Sequence, residues 1–471
     1  MCLGSAAFST ATFGISAADP INNGATSIFD LTNFPNSSAT NRTDAGSLYA
    51  MLTGRISSLT RSVTLSETSL QYEHTASVDR NHMKEMAYYF QDSWRAHPNL
   101  TVNFGVRWDV QFPLVNENGT YTRVGIEGLY GVSGVGNLFR PGVLTGTVPE
   151  FKAVAPGTRA YNTNYKQFNP SLGVAWKLPA TDTPVLSWLI GKQGHSVFRT
   201  GYSIATVREG MDYFISIWGA NQGRNVSLSV SPEAFPAEFG PAGSVWFRDP
   251  TLPSRAEPTK PTYPIAVNAG QSVNDFDPNL KMGYVQSWNV SFQRELAKST
   301  VLDVRYVGNH SVGLWRQINL NEVNIFENGF LNEFKVAQNN LAIAQRTNPN
   351  STNFGNQGLP GQAGLPIMTA AGISTNDTTF ATNLQRGQAG TFANSIATTA
   401  SRMTNLRNAG YAANLFTVNP TTVNSGSFLV TNGGSSTYNA LQVEMRRRMA
   451  SGLLVQGSYA WSKSITNMPA K

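Results

Sequence analysis

The sequence predicts an all-β chain that forms part of an antiparallel transmembrane β-barrel with long extracellular loops. Three observations carry that expectation. Strands of period two come in pairs around short turns, long polar stretches separate the pairs, and tryptophan and tyrosine stand near strand ends. Composition agrees: 13% of the 471 residues are charged, 11% are aromatic and 42 are glycine. Ordinary soluble domains carry roughly 25% charged residues. No run of about 18 apolar residues exists, so no transmembrane helix is expected. A chain that crosses lipid with strands must then close them, because an open edge finds no hydrogen-bond partner there.

The first strand pair lies near 83–110. In "YYFQDSWRAHPNLTVNFGVRWDV", Leu100, Val102, Phe104, Val106, Trp108 and Val110 alternate with Thr101, Asn103, Gly105, Arg107 and Asp109. Met86, Tyr88, Phe90 and Trp94 repeat the pattern more loosely, with Asp92 out of step, and Pro98 and Asn99 supply the turn. A second pair, near 168–206, sets Leu172, Val174, Trp176 and Leu178, then Phe198, Tyr202 and Ile204, against small or polar partners. The third, near 283–308, carries Trp288, Val290 and Phe292, then Leu302, Val304 and Tyr306. In the last, near 437–463, Leu441, Val443 and Met445 precede Val455, Tyr459 and Trp461 across a turn at Gly452.

Between the pairs run Gln111 to Gln167, Arg208 to Met282 and Arg316 to Ser436, rich in Gly, Pro, Asn and Thr and read as loops. Connections beyond about 15 residues are uncommon in compact domains. Outer-membrane barrels expect them, with short turns on the periplasmic side and long loops outside. The aromatic residues then read as interface belts: Trp94 and Trp176 near the short turns, Trp108, Trp288, Tyr306 and Trp461 near the long loops. The alternative is a soluble β-sandwich or propeller whose core holds these rings. On the polar faces, Arg107, Asp109, Arg199, Asp303, Arg305, Glu444 and Arg446 are candidates to face a barrel lumen, either wetting it or lining a substrate path.

Other chemistries find little support. The net charge of +7 forms no basic face beyond Arg446, Arg447 and Arg448, so no nucleic-acid partner is expected. The single cysteine, Cys2, excludes an internal disulfide. Five scattered histidines show no metal-ligand spacing, and no catalytic constellation emerges, so neither an enzyme nor a cofactor is expected. "NDFDPN" offers Asp275 and Asp277 as oxygen ligands but lacks the rest of a calcium loop, and reads as a solvated turn. The first eighteen residues carry no Lys or Arg and make a poor signal peptide.

The hairpin "YYFQDSWRAHPNLTVNFGVRWDV", with "FNPSLGVAWKLP", "VLDVRYVGNHS" and "STYNALQVEMRRRMASGLLVQGSYAWSKS", resembles the barrel of TonB-dependent outer-membrane receptors. The similarity is to the Oar-like group with a carboxypeptidase-regulatory-like N-terminal domain, found in Acidobacteria. "NRTDAGSLYAMLTGRISS" resembles the stretch before the first strand pair in that group. The resemblance implies residues 1–82 as a segment leading into the barrel and 83–471 as a barrel portion. No segment matches the family's regulatory-like domain, TonB box or plug, and the chain ends in "MPAK" without a terminal aromatic. The chain is therefore expected to be a fragment of such a receptor.

The implied activity is import of a scarce nutrient, small or oligomeric, across the outer membrane. The implied partners are outer-membrane lipid and, through the parent's N-terminal region, the TonB complex. The rival readings are an outer-membrane adhesion or interaction barrel and a secreted soluble β-protein that binds carbohydrate.

Overall fold

The computed structural model describes residues 10–22, 27–179, 183–191, 195–239, 245–249, 252–297, 299–450 and 452–467. Cys2, the turn residues Lys298 and Ser451, and "MPAK" lie outside them. Eight long strands are numbered here β1 (Glu85–His97), β2 (Leu100–Gln111), β3 (Gln167–Lys177), β4 (Ser196–Thr206), β5 (Tyr284–Ala297), β6 (Thr300–Asn319), β7 (Ser427–Ala450) and β8 (Leu453–Thr466). Each pairs antiparallel with its neighbours in sequence, giving a simple meander from β1 to β8. A short ninth strand, Val273–Phe276, runs parallel to the start of β7. Among the described residues β1 and β8 each pair on one side only, so the sheet is open.

Turn chemistry explains the tight connections. Ser299 at the β5–β6 turn and Gly452 at the β7–β8 turn take the left-handed conformation, with φ of 70° and 78°. Glycine reaches that region without steric cost. Gly308 has a different role. A Cβ there would come within 2.5 Å of the Trp288 indole on the paired strand, so the glycine leaves room for the ring to lie across the sheet.

The connections at the other end correct the all-β expectation and the reading of those stretches as loops. Between β6 and β7, the helix Phe330–Thr347 buries Phe330, Phe334, Ala337, Leu341 and Ala344, a spacing of one helical face. It packs on the helices Thr378–Gln385, Ala389–Ala397 and Ala400–Asn408 around Phe354, Phe380, Phe392, Leu406 and Phe416. Phe380 and Phe392 meet with ring centroids 4.3 Å apart. This helical unit therefore has its own core. Frequent Asn, Gln and Thr on its solvent faces hide the helical period from a search for alternation.

A second core joins the other two long connections to the upper ends of β6 and β7 through Tyr121, Phe214, Trp218, Phe276, Trp315 and Val430. Here the solvated-turn reading of "NDFDPN" fails for Asp275, which is fully buried. Its carboxylate accepts from the Trp218 indole (2.8 Å), the Gly125 and Phe276 amides (both 2.9 Å) and Arg123 (3.2 Å). Pairing of Val273–Phe276 with β7 draws the aspartate inside, and four donors offset its desolvation. Asp277 does stay at a turn, accepting from the Asn279 amide at 2.8 Å.

The N-terminal segment belongs to the same end. Its helix Ala39–Thr53 is capped by the Ser38 side chain and leads into the strand Arg55–Leu65. That strand pairs with Asn225–Val230 and Val245–Trp246 from the β4–β5 connection. Arg224 of that connection lies 5.1 Å from the Tyr121 ring centroid and pairs with Asp79 at 2.6 Å, tying the lead-in to β1 onto the layer.

Candidate functional site

Alternation in register gives the meander one apolar and one polar face. On the polar face the charged residues gather at two heights. Near the long connections, Arg107 donates to Asp109 at 2.7 Å. The other Asp109 oxygen accepts from Asn169 (2.6 Å) and Thr206 (3.1 Å). Glu85 accepts from Arg208 (2.9 Å) and Gln111 (3.2 Å) beside them. These residues line a cavity of about 450 Å³. Glu85, Gln111, Asn169, Thr206 and Arg208 are not among the polar-face residues that the sequence singles out. Glu85, Gln111 and Asn169 extend the polar alternation of their strands to the ends, which was the available signal.

The lower group lies toward the short turns. Asp303 on β6 stands between Gln293 on β5 and Glu444 on β7 in one register row. Arg305 donates to Asp303 at 2.9 Å and lies 3.7 Å from Glu444, so one guanidinium serves two carboxylates. Gln456 donates to Glu444 at 3.1 Å, and Arg199 donates to Gln293 at 3.0 Å. Arg446 completes the wall of a smaller cavity, about 220 Å³, that Asp303, Arg305 and Glu444 also line. The structure thus brings Arg107 to Asp109 and gathers Arg199, Asp303, Arg305, Glu444 and Arg446, but keeps the two groups apart.

The aromatic residues occupy the apolar face. Trp94, Val102, Val174, Thr200, Val290, Tyr306, Leu441 and Trp461 form one continuous register row from β1 to β8. Trp108 stacks between Tyr88 and Phe168, with centroids at 5.9 and 6.0 Å. Trp176 pairs in register with Leu100 and Phe198, close to the short-turn end. Tyr306 stands in the half of β6 nearer the turn at Ser299, because β6 runs on to Asn319, and its hydroxyl donates to Asn439 at 2.6 Å. Asp92 shares this face, opposite Phe104.

No group of three or more His, Cys, Asp or Glu side chains able to hold a metal occurs among the described residues. No helix there is long and apolar enough to cross a membrane, which leaves crossing by strands untouched.

A family described as an outer membrane beta barrel domain matches residues 10–471, nearly the whole chain. That match places the chain in the outer membrane and sets aside the soluble alternative. No curated protein matches. Among solved structures, the outer membrane transporter YddB from Escherichia coli is similar at 8% identity and a TM-score of 0.31, over 82% of this chain and 34% of that one. The alcaligin outer membrane receptor FauA from Bordetella pertussis gives 7% and 0.27, over 82% and 31%. The siderophore receptor PirA from Pseudomonas aeruginosa gives 8% and 0.26, over 86% and 49%. This chain thus spans less than half the length of each.

Proposed function

This chain belongs to the outer membrane beta barrel domain family, and from that premise we propose that it forms part of the wall of a TonB-dependent receptor importing a scarce nutrient. Residues 1–82 lead into the barrel and 83–471 supply wall strands with their connections. The observation that carries the reading is the meander whose three long connections all lie at one end and fold into a layer, while tight turns and the shorter β3–β4 connection with its helix Pro184–Ile190 occupy the other.

In this reading the apolar face meets lipid, with Trp94, Trp108, Trp176, Trp288 and Trp461 at its interfaces and Tyr306, the register partner of Val290, between them. The polar face lines the lumen, where Arg107 and Asp109 stand near the outer mouth and Arg199, Asp303, Arg305, Glu444 and Arg446 near the inner. An open sheet leaves edge groups unpaired in lipid, so further strands complete the ring. The parent's N-terminal region contacts TonB, and the transported compound is a small molecule or short oligomer moved without chemical change.

The test compares cells lacking the parent gene with cells lacking TonB for depletion of compounds from a defined nutrient mixture. A compound spared by both deletions supports import. Full uptake of every compound without the gene overturns it. The self-contained core of the β6–β7 unit favours a second reading, a surface interaction barrel, and loss of adhesion with uptake intact would select it.

A further inference from the structure

We propose that the short helix between β3 and β4, Pro184–Ile190, is an interfacial anchor that lies in the periplasmic leaflet of the outer membrane. The inference rests on the reading of the apolar face as lipid-facing and goes beyond it, because it assigns a membrane contact to a connection outside the strands.

The helix, "PVLSWLI", follows the end of β3 and precedes β4, so it stands at the short-turn end of the sheet. Proline at its first turn fits, since an amide there has no intrahelical partner to lose. Gly191 closes it with its amide donating to the Ser187 carbonyl at 2.9 Å.

Two bonds fix which side of the sheet it occupies. Ser196, the first residue of β4, donates its hydroxyl to the Ile190 carbonyl at 2.5 Å. Arg294 of β5, its register partner, donates to the Trp188 carbonyl. Ser196 and Arg294 share the alternation of Phe198, Phe292 and Val290, so both belong to the apolar face. The last carbonyls of the helix are therefore held from the side that meets lipid and not from the polar side. The arginine also places a positive charge at the helix C-terminus, where the dipole favours it.

Held there, the helix leaves Val185 73% and Trp188 75% exposed, beyond any other apolar side chains of the described short-turn end on β3 and β4. Large apolar side chains bared to water at this site would be costly, and a tryptophan beside an arginine is the usual composition of a membrane interface. The apolar face continues into this rim through Trp176, 43% exposed. The occupant that fits is the boundary between phospholipid headgroups and acyl chains, where a short helix lying in the interface settles its apolar residues about 5–10 Å deep.

The experiment uses the complete gene product, with Cys2→Ser, folded into vesicles of phosphatidylethanolamine and phosphatidylglycerol. A nitrobenzoxadiazole label is placed through Trp188→Cys, or through Val106→Cys on the apolar face of β2 as a test of the underlying reading. Lipids carry a nitroxide either near the headgroup or midway along the chain. The anchor predicts that the 188 label is quenched roughly twofold more by the shallow nitroxide than by the deep one. The 106 label should favour the deep nitroxide. Quenching at 106 with none at 188 overturns the anchor and leaves the barrel standing. Quenching at neither position overturns both. A 188 label shielded from aqueous iodide yet untouched by either nitroxide means a protein covers the helix, and also overturns the proposal.

Discussion

Trp94 and Trp461 sit at opposite ends of a single register row, the first beside the Pro98 turn and the second far up β8 from Gly452. The two residues share hydrogen-bonded register although they stand at different heights above their own turns. The same drift appears in between, since Val174 lies close to Lys177 while Leu441 lies far from Ala450. A row that climbs relative to the turns is the stagger that a closing barrel requires of its strands. With strands about 4.8 Å apart and tilted by about 40°, the row rises by about 20 Å over its full width. That is close to the height of an outer-membrane apolar band. Labels at Trp94→Cys and Trp461→Cys should therefore both report shallow depth, in opposite leaflets, with Val290→Cys the deepest of the three. Equal depth at all three positions would mean untilted strands and sink the barrel geometry.

The lipid face makes a second prediction. Val106 lies between Phe90 and Pro170, well exposed on the apolar side, whereas Asn103 lies between Ser93 and Gly173 on the polar side. Val106→Arg should destabilise the complete barrel by about 2–4 kcal/mol, and Asn103→Arg by much less. Phe104 is a poorer probe, because an arginine there would face Asp92 across the pair and gain a partner. Folding equilibria in lipid vesicles measure both, and similar costs would contradict the assignment of faces.

How much of this was legible follows from what each residue does. The unbroken alternation of Leu100 to Val110 is a direct image of a two-faced strand, and the polar face it implies is where Arg107 and Asp109 meet. The helical unit was not legible as helix, because Phe330, Phe334, Ala337 and Leu341 are spaced among Asn, Gln and Lys in a stretch scanned for period two. The upper reaches of β6 and β7 are equally hidden in the sequence. There the register slips between Val312 and Leu314 and again before Arg316, so alternation breaks although pairing continues to Asn319. Nor could sequence show that Asp275 is buried, since its donor Arg123 comes from another connection and its donor Trp218 stands 57 residues earlier in its own.

Asp275 carries the third prediction. Its carboxylate holds Arg123, the Trp218 indole and two amides inside a core that unites two connections with β6 and β7. Asp275→Ala strands those donors, and removal of one partner from a buried charged cluster costs about 3–5 kcal/mol. The layer should loosen while the sheet persists. Limited proteolysis should then cut near Trp218 at protease levels that leave the parent intact, with strand content by circular dichroism unchanged. A variant as resistant as the parent would show that the aspartate is dispensable.

Glu333 gives the fourth. It lies inside the helical unit and accepts the amides of Ile367 (2.8 Å) and Met368 (2.7 Å) at the start of the helix Pro366–Ala370. Burial raises its pKa above the ordinary 4.5, against the lowering effect of those two amides. A carboxyl whose folded pKa is raised contributes stability that is complete below the unfolded pKa and is lost as pH climbs through the folded one. The unit should therefore melt at a higher temperature near pH 4 than near pH 7, a comparison that brackets the ordinary carboxyl value. Glu333→Gln should flatten that difference. The reverse slope in the parent would show that the two amides outweigh burial.

Sidedness is the last prediction. In a meander whose strands pair only with sequence neighbours, every connection that follows an odd-numbered strand lies at one end and every other connection at the opposite end. The turn at Pro98 and the turn at Gly452 are therefore on the same side as each other, and the three folded connections share the far side. Short connections are what the periplasmic face of such barrels carries, so the folded connections are expected to face out. Because the β6–β7 unit is compact, cleavage there is confined to exposed edges: Arg346 at the end of its first helix and Arg386 before Gly387 are both accessible to trypsin. Arg95, beside the Pro98 turn, is equally exposed but on the other side. In intact cells displaying the complete protein, trypsin should cut after Arg346 or Arg386 and spare Arg95 until the outer membrane is permeabilised. Early cleavage at Arg95 with both helical sites protected would reverse the orientation. It would also place the large polar layer in the periplasm, where it could not meet an external nutrient.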